Sequence, residues 1–213
     1  MNERGRRTAP ILVEITATLL LAVTAVTTAW CGYQATRWNG EQAKTAAAVS
    51  ATRFEASRSA GLANLQTEVD VATFSQWVDA FAQDERELAN FYRARFREEF
   101  RPVVEAWIAT RPLRNPDAPL TPFAMTQYKL EASAEAARLD QQAEDLGEDV
   151  RSYIQHASNY VLGVLLCSVA LFFAGISTKL VSSRLRRITV AVGWLVYLGT
   201  VTWVSTFPIS VAV

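Results

Sequence analysis

The chain has 213 residues, half of them hydrophobic, with 21 basic and 21 acidic side chains, one histidine and two cysteines. This composition leaves no room for a histidine-rich metal centre, a disulfide framework or a strongly basic nucleic-acid surface. The distribution of charge is more telling than its balance. Of all the charged side chains, only Glu14 falls inside three long apolar stretches, Pro10 to Trp30, Asn159 to Thr178 and Ile188 to Phe207. Each has about the 20 residues needed to cross ~30 Å of hydrocarbon.

The sequence therefore predicts an all-α integral membrane protein with three transmembrane helices and an elongated extracytoplasmic antiparallel helical bundle. In chain order the expected parts are a cytoplasmic N-terminus (1–9), a first span (10–30) and an extracytoplasmic helical domain (31–157) with a proline-rich loop (110–124). A second span (158–178), a basic cytoplasmic loop (179–187), a third span (188–207) and an extracytoplasmic C-terminus (208–213) follow. A cleaved signal is not expected, because the first apolar run is longer than a signal core and Trp30 stands before Cys31, where lipoprotein processing wants a small residue.

Orientation follows from Lys and Arg near the spans. Arg4, Arg6 and Arg7 precede the first, and Lys179, Arg184, Arg186 and Arg187 fill the link between the second and third, so both clusters are expected on the cytoplasmic side. Residues 31–157, with 14 basic against 19 acidic side chains, then lie outside. The expected location is a bacterial cytoplasmic (inner) membrane. Trp30, Tyr33, Trp38, Trp203 and Phe207 supply an outer aromatic belt.

After the first span, Gln34 to Ala60 is rich in Ala, Glu, Gln, Arg and Lys and reads as a helix leaving the membrane, with Ala43, Ala47, Ala51 and Phe54 as its apolar face and Gly61 as its first break. Val71, Phe74, Val78 and Phe81 continue a helical period, and Asp84 with Glu87 resembles a cap near a turn at Gln83. Leu88, Phe91 or Tyr92, Phe96, Phe100, Val103 and Trp107 return to that period, with Pro102 suited to a first turn or a bend. Pro112, Pro116, Pro119 and Pro122 make residues 111–124 a loop with extended, polyproline-like stretches.

From Met125 the chain becomes regular again. Ala132, Ala136, Leu139, Ala143, Leu146, Val150, Tyr153 and Ala157 alternate spacings of four and three, a coiled-coil seam of nearly four heptads. With no breaker at the membrane surface, one helix is expected from about Met125 to Thr178, and the seam is compatible with packing within one subunit or between subunits.

Trp30-Cys-Gly-Tyr-Gln-Ala-Thr-Arg-Trp-Asn-Gly-Glu-Gln-Ala43, Phe91-Tyr-Arg-Ala-Arg-Phe-Arg-Glu-Glu-Phe100, Asn115-Pro-Asp-Ala-Pro and Pro122-Phe-Ala-Met125 resemble a family of uncharacterised bacterial three-span membrane proteins of about this length. The resemblance covers essentially the whole chain. It implies the same three-span plan and no activity.

Several residues are candidates for chemistry. Glu14, with Thr18, Thr24 and Thr28, forms a possible pore or intramembrane polar site if copies ring a path, while a carboxylate about 6 Å in from Pro10 also suits a plain interfacial position. The same threonines can instead bond their own helix backbone. Gly163, Cys167, Ala170 and Ala174 offer a small-residue ridge for packing in the membrane. Cys31, at the outer interface, stands about 13 Å from the depth of Cys167 and is free to pair with its copy in a neighbouring subunit. Asp140, Glu144 and Glu148, with Asp145 and Asp149 beside them, make an acidic stripe that reads as a solvated face paired with Arg93, Arg97 or Arg101 rather than a Ca²⁺ cage. His156, flanked by Tyr153 and Tyr160, reads as interfacial.

No catalytic triad, phosphate loop, metal set or cofactor motif emerges. The function expected from sequence is a non-enzymatic, homo-oligomeric membrane scaffold or sensor, partnered by membrane lipid, by copies of itself and by a protein docking on the external bundle, with no nucleic acid. The alternative is an oligomeric, cation-preferring channel lined by the first span.

Overall fold

The computed structural model describes residues 3–210, with the side chains of residues 12–210. Arg4, Arg6 and Arg7, and the last three residues of the expected C-terminus, lie outside the described side chains. Among the described residues the chain is helical without strands: α1 Glu3–Ala82, α2 Arg86–Arg93, α3 Arg101–Ala109, α4 Glu131–Ser177 and α5 Ser183–Val204, with a short 3-10 turn at Pro122–Ala124. Three of these helices, α1, α4 and α5, contain windows long and apolar enough to cross a membrane.

The helices fold into two units, residues 1–47 with 146–213, and residues 48–145. In the first, α1 and α5 run in the same direction and α4 against them. Cys31 of α1, Gly163 of α4 and Val204 of α5 meet at one level, where a Cβ on Gly163 would stand 3.1 Å from Val204 Cγ2 and 3.3 Å from Cys31 Sγ. At a second level Gly193 of α5 admits Leu20 of α1, whose Cδ2 would be 2.9 Å from an added Cβ, beside Phe173 of α4. Glycine at these two places allows the close approach on which apolar helices rely when water gives them no reason to associate.

The second unit is built on the 48–82 part of α1, which buries Val49, Ala56, Ala63, Asp70 and Trp77, one residue every seven. A strict seven-residue repeat with small side chains lets another helix approach closely. The carboxylate of Glu55 adds to the field on Arg138 of α4, which places the two helices side by side here. The face expected from sequence was wrong by about half a turn: Ala43, Ala47, Ala51 and Phe54 are exposed, and Val71, Val78 and Phe81 point outward while Asp70, Phe74 and Trp77 point in. Nor does α1 break at Gly61, where an added Cβ would meet open space and the flanking Ala56 and Ala63 are buried. The ~1 kcal/mol that glycine costs a helix is small beside that packing.

The turn after Ala82 is made by Asp84 in the left-handed region at φ 58°, with Arg86 Nε bonded to its Oδ1 at 3.2 Å. The cap of α2 is Glu85, not Asp84, and uses no side-chain bond. Pro102 sits in the first turn of α3. The proline-rich segment is folded into hydrogen-bonded turns rather than extended: Trp107 donates through Nε1 to Pro119 O at 2.7 Å, and Asn115 Oδ1 accepts from Asp117 N at 3.1 Å. α4 starts at Glu131 rather than near Met125, because the chain first turns through bonds from Met125 N to Pro122 O and from Tyr128 N to Met125 O.

The core of the second unit is aromatic. Phe74, Trp77, Phe96, Phe100, Val103 and Val104 form its buried centre, with Trp107, Phe123 and Tyr128 packed around them. Phe100 and Phe123 stack at 5.1 Å and 9°, while Phe74 meets Phe100, Trp107 and Phe123 edge-on. Such pairs add ~0.5–1.5 kcal/mol each beyond area burial.

Candidate functional site

Glu14 is 72% exposed and its Oε2 lies 3.8 Å from Arg186 of the basic link. Arg184, Arg186 and Arg187 belong to the start of α5 rather than to a 179–187 loop, so Glu14 lies at the level of that first turn. Thr18 donates to Glu14 O at 3.0 Å and Thr28 to Thr24 O at 2.7 Å, both along their own helix. Thr24 is fully buried within its own chain, and its hydroxyl has no protein partner among the described residues. Glu14 and Thr18 thus share an open face with Ile15, Leu19 and Ala22, whereas Thr24 points in among the helices of its own chain.

All eight seam residues are buried or half-buried by their own chain. Ala136, Leu139 and Ala143 are buried in the second unit and Ala157 in the first, with Ala132, Leu146, Val150 and Tyr153 intermediate. In the first unit Tyr153 packs on Trp38 at 5.5 Å, and the His156 ring lies 4.7 Å from the same indole with Nε2 3.3 Å from Ser152 Oγ. Cys167, Ala170 and Ala174 are fully buried, in line with Gly163. Cys31 is also fully buried, against Gly163, and both cysteines are free thiols. A bridge from Cys31 to a neighbouring subunit is therefore closed off: helix packing covers the sulfur that the sequence left at an interface.

The acidic stripe faces solvent, with Asp140, Glu144, Asp145, Glu148 and Asp149 all exposed, and among the described residues no group of carboxylates, histidines and cysteines is placed to hold a metal. Its expected arginine partners are engaged elsewhere. Arg93 pairs with Glu105 at 3.2 Å, Arg101 donates to Ala94 O and Phe96 O, and Arg97 is drawn to Asp70.

That last pair is the main feature sequence reading missed. Asp70 is fully buried, and Arg97 grips it bidentately, Nε to Oδ1 and Nη2 to Oδ2, each at 3.0 Å. Its third arm reaches Glu99 at 2.9 Å, and Tyr128 donates to Asp70 Oδ2 at 3.2 Å while lying 3.4 Å from Thr67 Oγ1. The network ties α1 to the segment between α2 and α3 and to the turn before α4. The hydrogen bonds from the guanidinium to Asp70 raise the Arg97 pKa further above its ordinary value. Only the position of Asp70 in the seven-residue repeat hinted at its burial.

Burial, and then the neighbouring Asp70 carboxylate, raise the Tyr128 phenol above its usual value near 10. A group whose folded pKa is raised stabilises fully below its unfolded pKa and loses that contribution as pH rises towards the folded one. Above about pH 10, wild-type protein should therefore lose thermal stability more steeply than Tyr128→Phe, starting from a higher value. Parallel slopes in scans of tryptophan fluorescence would contradict this.

A second missed device closes the first unit. Gln34, fully buried, accepts from Ser210 N at 3.0 Å, and Tyr160 donates to Pro208 O at 3.1 Å, pinning the segment after α5.

Fold and sites together define the class: an all-helical protein with three helices long and apolar enough to span a membrane, carrying a separately packed helical unit. Comparison with protein-family models, curated proteins and solved structures finds no match.

Proposed function

We propose that this protein is a non-enzymatic, homo-oligomeric scaffold or sensor of a bacterial cytoplasmic membrane, with residues 31–157 outside. The observation that carries the reading is an unpartnered apolar stripe on α1. Phe54, Leu62, Leu65 and Val69 fall within one ~80° sector of the helix at 100° per residue, and are 72, 51, 60 and 51% exposed in a single chain. They lie beyond the apolar run expected to cross the bilayer, so water rather than lipid would face them. Arg58 falls in the same sector between Phe54 and Leu62, so the apolar surface is continuous over Leu62, Leu65 and Val69. Exposed apolar surface of this kind marks an association site, and a second copy of the same stripe is a self-complementary partner. The seam of α4 is already occupied within the chain, so association falls to α1.

A cation-preferring channel is the second reading, favoured by the exposed Glu14 and Thr18 face. Against it stand the Glu14–Arg186 pair and the inward-facing Thr24.

The test is the mass of the nanodisc-embedded complex for wild type, Leu62→Glu with Leu65→Glu, and Leu139→Glu. The scaffold reading expects an oligomer that falls apart on charging the stripe, whereas a charge in the seam unfolds the 48–145 unit instead. A monomeric wild type, or a stripe variant of unchanged mass, overturns it. A ring of four or more with currents altered by Glu14→Lys supports the channel.

A further inference from the structure

In the second unit, the outer faces of α1 and α3 and the turn after α3 enclose a groove of about 480 Å³. The volume lies within the ~300–1,000 Å³ usual for small-molecule sites and is too small for a two-chain phospholipid. Its floor is Trp77, Phe81, Trp107 and Ile108, with the Trp77 and Phe81 rings stacked at 5.5 Å and 25°. Leu113 stands at the mouth, 89% exposed.

The polar groups in this apolar lining are all guanidinium: Arg93, Arg111 and Arg114. Arg93 is neutralised by Glu105. Arg111 and Arg114 are exposed and make no side-chain hydrogen bond or ion pair among the described residues. Two uncompensated positive charges at one edge of an otherwise apolar groove complement a molecule with an anionic head and an apolar body.

Arg111 occupies the left-handed region at φ 55°, directly after the Thr110 cap of α3. This is the position at which helices usually carry glycine, because a Cβ is strained there. Backbone hydrogen bonds hold this turn, Arg111 N to Ile108 O at 3.0 Å and Arg114 N and Asn115 N to Arg111 O at 2.8 and 3.0 Å, and they leave the guanidinium free of any partner among the described residues.

We infer that this groove binds a single-chain amphiphilic carboxylate, with its acyl body over Trp77, Phe81 and Trp107 and its head between Arg111 and Arg114. The site needs nothing from a second copy, so it stands or falls apart from the oligomeric reading.

The experiment uses the full chain in zwitterionic nanodiscs, which avoids detergent in the groove, titrated with 12-bromododecanoate. A bromine carried on the acyl tail quenches tryptophan by contact, and Trp77 and Trp107 lie in the floor. The expected result is saturable quenching beyond that of a Trp77→Phe, Trp107→Phe variant. The 12-bromododecyl ammonium and alcohol analogues should quench at least tenfold more weakly in concentration. Arg111→Gly with Arg114→Ala should weaken the carboxylate at least tenfold while leaving the melting temperature unchanged or higher, since glycine relieves the strain at residue 111. That pairing separates a lost ligand contact from a lost fold.

Equal quenching by all three head groups would mean partition into apolar surface and overturn the proposal. Carboxylate quenching unaffected by the double arginine variant, or attributable wholly to the lipid, would overturn it as well.

Discussion

Replacing Arg97 with methionine is expected to destabilise the 48–145 unit by about 3–5 kcal/mol, the range for unpairing a buried charge. The cost comes less from the lost attraction than from what remains. Asp70 is fully buried and takes both its guanidinium bonds from Arg97; without them its carboxylate keeps only the Tyr128 hydroxyl. A charge so placed must ionise without compensation, take up a proton or drag water into the aromatic core. The triple variant Asp70→Leu, Arg97→Met, Tyr128→Phe should recover most of the loss, because well-packed apolar replacements of a buried pair are often neutral. Chemical unfolding of the full chain in nanodiscs, followed by tryptophan emission, measures both. A single Arg97→Met change within 1 kcal/mol of wild type would show that Asp70 is not held as described.

Phe100→Ala should be comparably severe, about 3–5 kcal/mol by the usual cost of emptying an aromatic core site. Phe100 is fully buried, stacked on Phe123, edge-on to Phe74, Phe96 and Tyr128, and caps the start of α3. Its removal strips contacts from both sides of the cluster at once, and the rigid rings of Phe74, Phe96 and Phe123 around it can close the gap only in part. Leu113→Ala, at an 89% exposed position nearby, is the matched control and should change stability by less than about 0.5 kcal/mol. Equal effects of the two substitutions would mean that the aromatic cluster is not the core of the unit.

Both predictions rest on residues whose importance was unevenly legible. Helical spacing picked out Phe74, Phe96, Phe100 and Trp107, but the same spacing also named Val71, Val78, Phe81 and Leu88, which are exposed, because a period locates a helix better than it locates the face a neighbour will cover. The buried face of α1 between residues 49 and 70 was not. Its seam is Val49, Ala56, Ala63 and Asp70, with nothing bulky to mark it, while the conspicuous Phe54 and Leu65 point away. Alanines occur on every face of this helix, so the buried ones are chosen by close approach of a neighbour rather than by hydrophobicity. The groove at Arg111 was equally silent, since it joins residues from three helices and a turn whose juxtaposition no local pattern encodes.

The sequence by itself determined the helical class, the three apolar runs and the α4 seam, since each depends on a property that repeats along one element: length against bilayer thickness, or a heptad period. Only the tertiary structure decided that the seam is filled within one chain, that Cys31 is enclosed, and that Arg97 leaves the acidic stripe for Asp70. Those outcomes turn on distances between segments far apart in the chain. A buried charge goes to whichever partner can meet it with two bonds at 3.0 Å, and that choice is made by packing.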